Sequence, residues 1–294
     1  MSSIEKQSLD LTEHHAVYDA INPQRALQGS ASEKTVFITG ASRGIGQATA
    51  VAFAAAGAKA VYATARSEGG LEETGSLVAK ANPETAFAAS STDVTDASQV
   101  AAAVEDCVSR FGGIDIADAN AGFLGPWEKL AVSDPGSWWQ TFEVNVRGAF
   151  HVARYCLPHL IESAKRHDGG HLILVSSVGA QLLVDGASDY QTSKHAINRL
   201  CEFVASDHGG DGVKCFAMHP GGVATEVGKS MPEAMHEYLT DPPELAAGFA
   251  VWLASGRADW ATARYLSANW DVEGLARMKD AILTDDLLVN RLRA

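Results

Sequence analysis

From Lys34 to Ser267 the chain alternates between short apolar runs and longer stretches whose apolar positions recur at helical spacing. Val36–Thr39, Ala60–Ala65, Ala86–Ser90, Ile114–Ala119, Leu172–Ser176, Val213–Met218 and Tyr265–Ser267 are short, apolar and bounded by turn residues, so they read as buried strands. Between them, Gly46–Ala56 is rich in alanine and stops at Gly57, and Ala97–Phe111 stops at the helix-ending pair Gly112-Gly113. Strands alternating with helices at this spacing need crossover connections, which build a parallel sheet covered on both faces. The pattern therefore predicts a single α/β domain around a doubly wound parallel sheet of about seven strands.

Two flanks fall outside the alternation. Residues 1–32 are polar, with the turn pair Asn22-Pro23 and apolar anchors at Val17, Tyr18 and Ile21. Residues 271–294 carry Leu275, Met278, Ile282, Leu283 and Leu287 at roughly helical period. Each reads as an extension of the central unit, 33–270, packing on its own subunit or reaching across to another.

Composition narrows the function. Hydrophobic content is 46% and the formal net charge is −13. An acidic chain has no basic patch for nucleic acid or an anionic membrane, and its charge serves solubility. No run approaches the roughly 18 apolar residues of a membrane-spanning helix. Met1–Ser32 lacks the apolar core of a secretory leader, and Arg291–Ala294 is no peroxisomal address. Cys107, Cys156, Cys201 and Cys215 are scattered, which predicts reduced, buried thiols and a cytoplasmic protein. The ten histidines show no metal-ligand spacing, so no metal is predicted.

The first strand runs into Thr39-Gly40-Ala41-Ser42-Arg43-Gly44-Ile45-Gly46. A glycine-rich turn between a strand and a helix lets backbone approach a pyrophosphate, and the helix N-terminus offers free N–H groups. The glycine spacing differs from GxGxxG, but the position after a strand and before a helix fits a dinucleotide cradle formed by Gly40, Ser42, Arg43, Gly44, Ile45 and Gly46. An Asp or Glu about 20 residues further on would bind a ribose 2′-hydroxyl. The second strand instead ends in Ala65-Arg66. Arg43 and Arg66 together suit a 2′-phosphate, so the reading is NADP(H); the plainer reading is two solvated arginines.

Lys194 follows Tyr190 by four residues, so on a helix the two share a face. An ammonium beside a phenol favours the phenolate and draws its pKa toward neutrality, where acid–base catalysis works best. Ser177 stands thirteen residues before Tyr190, at a strand end where such sheets gather ligand-binding residues. Its hydroxyl suits orientation of a substrate carbonyl.

In these motifs the chain resembles a classical short-chain dehydrogenase/reductase, over about residues 33–270. The resemblance implies a Rossmann-type fold and an NADP(H)-dependent oxidoreductase that interconverts a ketone or aldehyde and an alcohol by hydride transfer. It implies a catalytic set of Asn145, Ser177, Tyr190 and Lys194, with Tyr190 as general acid/base and Asn145 anchoring a proton-relay water. It implies cofactor contacts from Asp93-Val94, from Asn120-Ala121-Gly122, and from the loop Pro220-Gly221-Gly222-Val223-Ala224-Thr225, with Tyr190 and Lys194 again taking part. Ser42, Arg43 and Arg66 are similar to the NADP-preferring branch. Ala119 stands where the family has a first asparagine, and Ala268-Asn269-Trp270-Asp271 replaces the usual C-terminal motif of tetramers. The long flanks are similar to those of fungal members, often found in secondary metabolism.

The segment after Thr225 should roof the substrate as a short mobile lid, about 225–241, with Met231, Met235, Tyr238 and Leu239 as its apolar face. Gln181, Leu182, Leu183 and Val184 should line a second wall, and Phe123, Leu124 and Trp127 a third. Such a pocket suits a fairly bulky apolar small molecule. Helices around 136–167 and 189–209 carry Phe150, Tyr155, Leu157, Leu160, Leu200 and Phe203, and the resemblance pairs them across a two-fold axis in a homodimer or homotetramer. Two alternatives stay open: a non-redox cyclase or dehydratase on the same scaffold, and an NADP(H)-sensing binding protein.

Overall fold

The computed structural model describes residues 9–166 and 170–292. The first eight residues and the last two, which belong to the predicted extensions, lie outside it, so the end of the C-terminal stretch 291–294 read above does too. Seven strands, β1 (Thr35–Thr39), β2 (Ala60–Ala65), β3 (Ala86–Ser91), β4 (Ile116–Ala119), β5 (His171–Val175), β6 (Lys214–His219) and β7 (Tyr265–Ser267), form one sheet in the order 3-2-1-4-5-6-7. Every pairing is parallel. The predicted strands are all present. Their ends shift by one or two residues, as at β4, which starts at Ile116 rather than Ile114.

β1, β2 and β5 are buried at every position because helices cover both faces, which is why their sequences run apolar rather than alternate. One face packs on α3 (Ala97–Phe111), α5 (Ala149–Arg166) and α6 (Ser188–His208), through Phe37, Tyr62 and Leu172. The other packs on α1 (Gly44–Ala55), α2 (Glu68–Ala81) and α8 (Pro243–Leu253), through Val36, Ile38 and Val61. Local chemistry sets the helix ends. Asp96 accepts from Ser98 and Gln99 at the start of α3, and Gly112 closes it at φ 89°. Asp134 caps α4 (Pro135–Phe142), whose first residue is proline.

The flanks pack on this same core. Ile21 and Leu27 are fully buried against α8, and each such side chain contributes roughly 1.5–3 kcal/mol by leaving water. α8 is thereby buried from Leu245 to Leu253. At the other end α9 (Val272–Arg277) and α10 (Lys279–Thr284) bury Leu275 and Ile282. Leu283, expected among these anchors, is 41% exposed instead, because the short α10 turns it outward. β7 is not left bare: Tyr265 N–H donates to Leu288 O at 2.9 Å, and the N-terminal segment bonds to the turn that follows the strand.

Strand order reverses between β1 and β4, and a crevice opens there beyond the carboxyl ends of the strands, where ligands of such sheets bind.

Candidate active site

The crevice is a cleft of about 1860 Å³, larger than a single drug-sized ligand needs. It is lined along one arm by Gly40, Ser42, Arg43, Gly44, Ile45, Arg66, Asp93, Val94, Asn120, Ala121 and Gly122. Ser177, Tyr190, Lys194, Pro220, Gly221, Val223 and Thr225 line the other. Two sequence-predicted residues, Gly46 and Asn145, sit behind the wall. Gly46 packs under the turn, against the Gly40 carbonyl and the Asn120 amide.

The turn is built to leave backbone open. Gly40 has φ +68°, and a Cβ there would lie 2.9 Å from Ala121 Cα, so only glycine fits. Asn120 holds the turn from β4, donating to Thr39 O at 2.8 Å and Gly40 O at 3.2 Å. Asn120 thus steadies the central strands although its neighbour is Ala119. α1 begins with no side-chain cap at Arg43, so its first N–H groups face the cleft. A cradle that a Cβ would fill, next to an uncapped helix N-terminus, fits a dinucleotide pyrophosphate. Arg43 is ion-paired with Glu226 at the start of α7 (Glu226–Lys229), so the turn and the lid meet across the cleft mouth. Arg66 is exposed at the end of β2, followed by Ser67, which caps α2.

Ser177 continues β5 in extended conformation and starts a short 3-10 turn, Val178–Gln181, accepting from Gly179 N–H at 3.0 Å. Gly179 brings its hydroxyl close to the Tyr190 ring: a Cβ on that glycine would lie 3.2 Å from Ser177 Oγ and 3.6 Å from Tyr190 Cε1. Lys194, one turn along α6, is 4% exposed and donates to Val175 O at 2.7 Å. Burial lowers its pKa to about 8. Its ammonium lies 5.7 Å from the Tyr190 ring centroid, over the face of the ring. Burial raises the phenol pKa above its usual 10.0, with Ser177 opposing it. The Tyr190–Lys194 spacing predicts a phenol drawn down by the ammonium; desolvation instead sends it up.

Asn145 sits in a π-helical turn, Glu143–Gly148, between α4 and α5. Its side chain is fully engaged. Oδ1 accepts from Phe123 N–H at 2.8 Å, and Nδ2 donates to Phe123 O at 2.8 Å and Ser193 Oγ at 3.0 Å. Ser193 in turn donates to Tyr190 O at 2.7 Å. Asn145 therefore ties the loop after β4 to the helix that carries Tyr190 and Lys194.

The apolar walls follow the sequence with one exception. Met231, Met235, Tyr238, Leu239, Leu182, Leu183, Val184, Phe123, Leu124 and Trp127 all line the cleft. Gln181 does not, because it closes the 3-10 turn; Gln191 takes its place and holds the wall by accepting from Val184 N–H at 3.0 Å. The segment expected to form a lid consists of α7 followed by a 3-10 stretch, Glu233–Tyr238. Leu160, predicted on the pairing surface, is fully buried inside the subunit, whereas Phe150 and Phe203 are 50% and 57% exposed.

Sequence reasoning missed several lining residues. His219 ends β6 and its Nδ1 accepts from Val178 N–H at 3.1 Å. The neutral ring must then carry its proton on Nε2, and burial lowers its pKa to about 4. The strand-end position was the available signal. Glu13, His15, Asn269 and Trp270 also line the cleft, and no spacing in the sequence linked the first two to the last two.

Comparison with known proteins agrees with this geometry. A family model described as short chain dehydrogenase matches residues 34–236. The chain is 40% identical over 282 residues to the short chain dehydrogenase mpl6 of Monascus purpureus, covering 95% of this chain and 94% of the relative. It is 37% identical to the short chain dehydrogenase pigC of Monascus ruber, covering 94% and 91%. Among solved structures, levodione reductase superposes with a TM-score of 0.74 at 26% identity, covering 81% of this chain and 96% of that one. A variant of a Serratia marcescens short-chain dehydrogenase/reductase gives 0.73 at 30% identity, covering 81% and 97%.

Proposed function

Because this chain belongs to the short-chain dehydrogenase family, a family of oxidoreductases, we propose that it is an NADP(H)-dependent carbonyl reductase acting on a fairly bulky, apolar ketone or aldehyde. The observation that carries the reading is Ser177 and Tyr190 side by side, next to buried Lys194, in the same cleft as the glycine cradle. When bound, a nicotinamide cofactor supplies the hydride; the chain's own residues handle orientation, exclusion of water and the proton. Gly40, Ser42, Gly44, Ile45, Asp93, Val94, Asn120, Ala121 and Gly122 would hold the dinucleotide, with Pro220, Gly221, Val223 and Thr225 at its nicotinamide end. Arg43 and Arg66 would meet the 2′-phosphate.

Ser177 orients the substrate carbonyl, and Tyr190 gives its phenolic proton to the carbonyl oxygen. A phenol whose pKa is raised holds that proton throughout the neutral range, which favours reduction over alcohol oxidation there. Lys194, a cation below about pH 8, then stabilises the phenolate that is left. The apolar walls and the lid keep water from the reacting centre and select for bulk. The likeness to a levodione reductase supports the direction, and the curated Monascus relatives support a place among fungal short-chain dehydrogenases.

The test is NADPH consumption with a panel of bulky ketones, for the wild type and Tyr190→Phe. The variant should lose about 10²-fold or more in turnover, since general acid catalysis is removed, while binding NADPH nearly as well. Unimpaired turnover in the phenylalanine variant would exclude this mechanism and turn attention to non-redox chemistry in the same pocket.

A further inference from the structure

Asp241 closes the lid and is almost wholly buried, its side chain 3% exposed. A buried carboxylate needs partners, and it has three. Oδ2 accepts from Gly222 N–H at 2.7 Å and from Asn269 Nδ2 at 2.9 Å. Oδ1 accepts from His15 Nδ1 at 2.6 Å. Its own N–H returns a bond to Gly222 O at 2.8 Å, so the lid base and the Pro220–Thr225 loop are laced together. The fit allows no slack: a Cβ on Gly222 would lie 1.8 Å from Tyr238 O.

His15 comes from outside the family unit. The segment Thr12–Tyr18 runs beside the turn after β7, where Glu13 and Trp270 form an antiparallel bridge. His14 N–H donates to Asn269 O at 2.7 Å, Asn269 Nδ2 donates to His14 O at 3.0 Å, and Asp271 N–H donates to Thr12 O at 2.9 Å. Tyr18 clamps the far end, donating to Trp270 O at 3.2 Å and accepting from Val272 N–H at 2.9 Å. Asn269 therefore faces both ways, toward the N-terminal segment through His14 and toward the catalytic loop through Asp241.

We propose that this segment is part of the active site, acting through Asp241 to fix the loop at the nicotinamide end of the cleft. Asp241 and His15 are positioning residues. The segment lies outside residues 34–236, which match the family model, so a stretch of chain beyond that model completes the cofactor site. The loop's main chain at Gly222 is held by a charge rather than by a neutral side chain, and that charge is held by His15 and Asn269. Loosening either support should release the loop at Gly222, while the glycine cradle, held from β4 by Asn120, keeps its shape.

The inference rests on the nicotinamide reading above, and the experiment separates the two. Full-length wild type, His15→Ala, His15→Gln and Asp241→Asn are titrated with NADPH and with 2′-phospho-ADP-ribose, which has the adenosine half and pyrophosphate but no nicotinamide. NADH and ADP-ribose run as a second pair, so that an error in 2′-phosphate preference does not hide the effect. Loss of a charge-assisted bond predicts NADPH affinity weakened about 5-fold in His15→Ala and about 10-fold or more in Asp241→Asn. Affinity for 2′-phospho-ADP-ribose should stay within about 2-fold, because the cradle is untouched. His15→Gln, which can still donate to the carboxylate, should recover most of the loss. Equal losses for both ligands would show a general folding role and overturn the proposal, as would no loss for either. Should Asp241→Asn fail to fold, His15→Ala decides, since that side chain is 60% exposed. A wild type that binds neither pair overturns the nicotinamide reading, and this proposal with it.

Discussion

Asp118 should cost this protein stability at neutral pH, and removing its charge should restore it. The residue sits in central strand β4, between Ile38 of β1 and Ile173 of β5. Its side chain is fully buried, and among the described residues neither carboxylate oxygen has a hydrogen-bond partner. Burial alone raises its pKa from 3.8 to about 7. The native state therefore binds a proton that the unfolded chain releases. The sign follows: the carboxyl is harmless below about pH 4, its contribution is lost as pH rises through about 7, and the penalty is level above that. The native carboxyl keeps to about pH 7 a proton that the unfolded chain gives up near 3.8, which makes the whole penalty about 4 kcal/mol.

The sequence isoelectric point is about 5.1, so thermal unfolding is best followed from pH 6 to 8.5. In that window the penalty should grow by about 1 kcal/mol, or roughly 2 °C in Tm for a chain of 294 residues. Asp118→Asn keeps the shape and removes the titration, so its Tm relative to wild type should climb by that amount across the window. Asp118→Val also removes the unsatisfied polar group and suits a strand buried on both faces, so it should be the more stable variant at pH 8.5. His219, whose pKa is lowered to about 4, titrates with the opposite sign, but it is common to all three proteins and cancels in the difference. Parallel pH profiles for wild type and Asp118→Asn would refute the argument, since they would mean that the carboxyl finds solvent or a partner.

Three other outcomes follow from the site. Arg66→Asp should weaken NADPH binding by about 10-fold or more and spare NADH, whereas Glu226→Gln, which frees Arg43 from an exposed ion pair worth up to about 1 kcal/mol, should tighten NADPH by up to about 5-fold; wild-type affinities equal for the two cofactors would contradict the assignment. Ketone reduction should decline as pH rises past about 8, where buried Lys194 loses its proton, and a pH–rate profile flat to about pH 9.5 would show that the lysine charge is not used. The subunit should pair through α5 and α6, which expose Phe150 and Phe203, and should stop at a dimer, because its own flanks cover the β7 edge and α8; mass measurement in dilute solution checks this, with a monomer or tetramer as the contrary result.

Much of this architecture is written in local pattern. The seven strands could be read because each is buried on both faces, which forces an unbroken apolar run between turn residues. The cradle and the Ser177, Tyr190 and Lys194 group could be read because each depends on near neighbours in sequence: a strand, a turn and a helix, or two positions one turn apart on α6. Gln181 was misplaced for a related reason, since a 3-10 turn and an extended wall share the same composition over four residues.

What escaped the sequence is set by distance along the chain. His15 meets Asp241 across 226 positions, and Asn269 meets His14 across 255. None of the four stands in a periodic stretch, and each type is ordinary in a loop, so no local preference marks them. The ionisation states were hidden for the same reason. Spacing shows that Lys194 lies near Tyr190, but not that the whole fold buries both, and burial is what sends the phenol upward and the ammonium downward. That opposition carries functional weight. A lysine lowered to about 8 beside a phenol raised above 10.0 leaves the proton on the phenol, so Tyr190 stays the donor and Lys194 is the first of the two to lose its proton as pH rises. Ser177 opposes the rise at the phenol, and Asp241 opposes the fall at His219, and these groups come from separate segments of the chain. Chemistry that looks local in the sequence is therefore governed by groups that only the fold brings together.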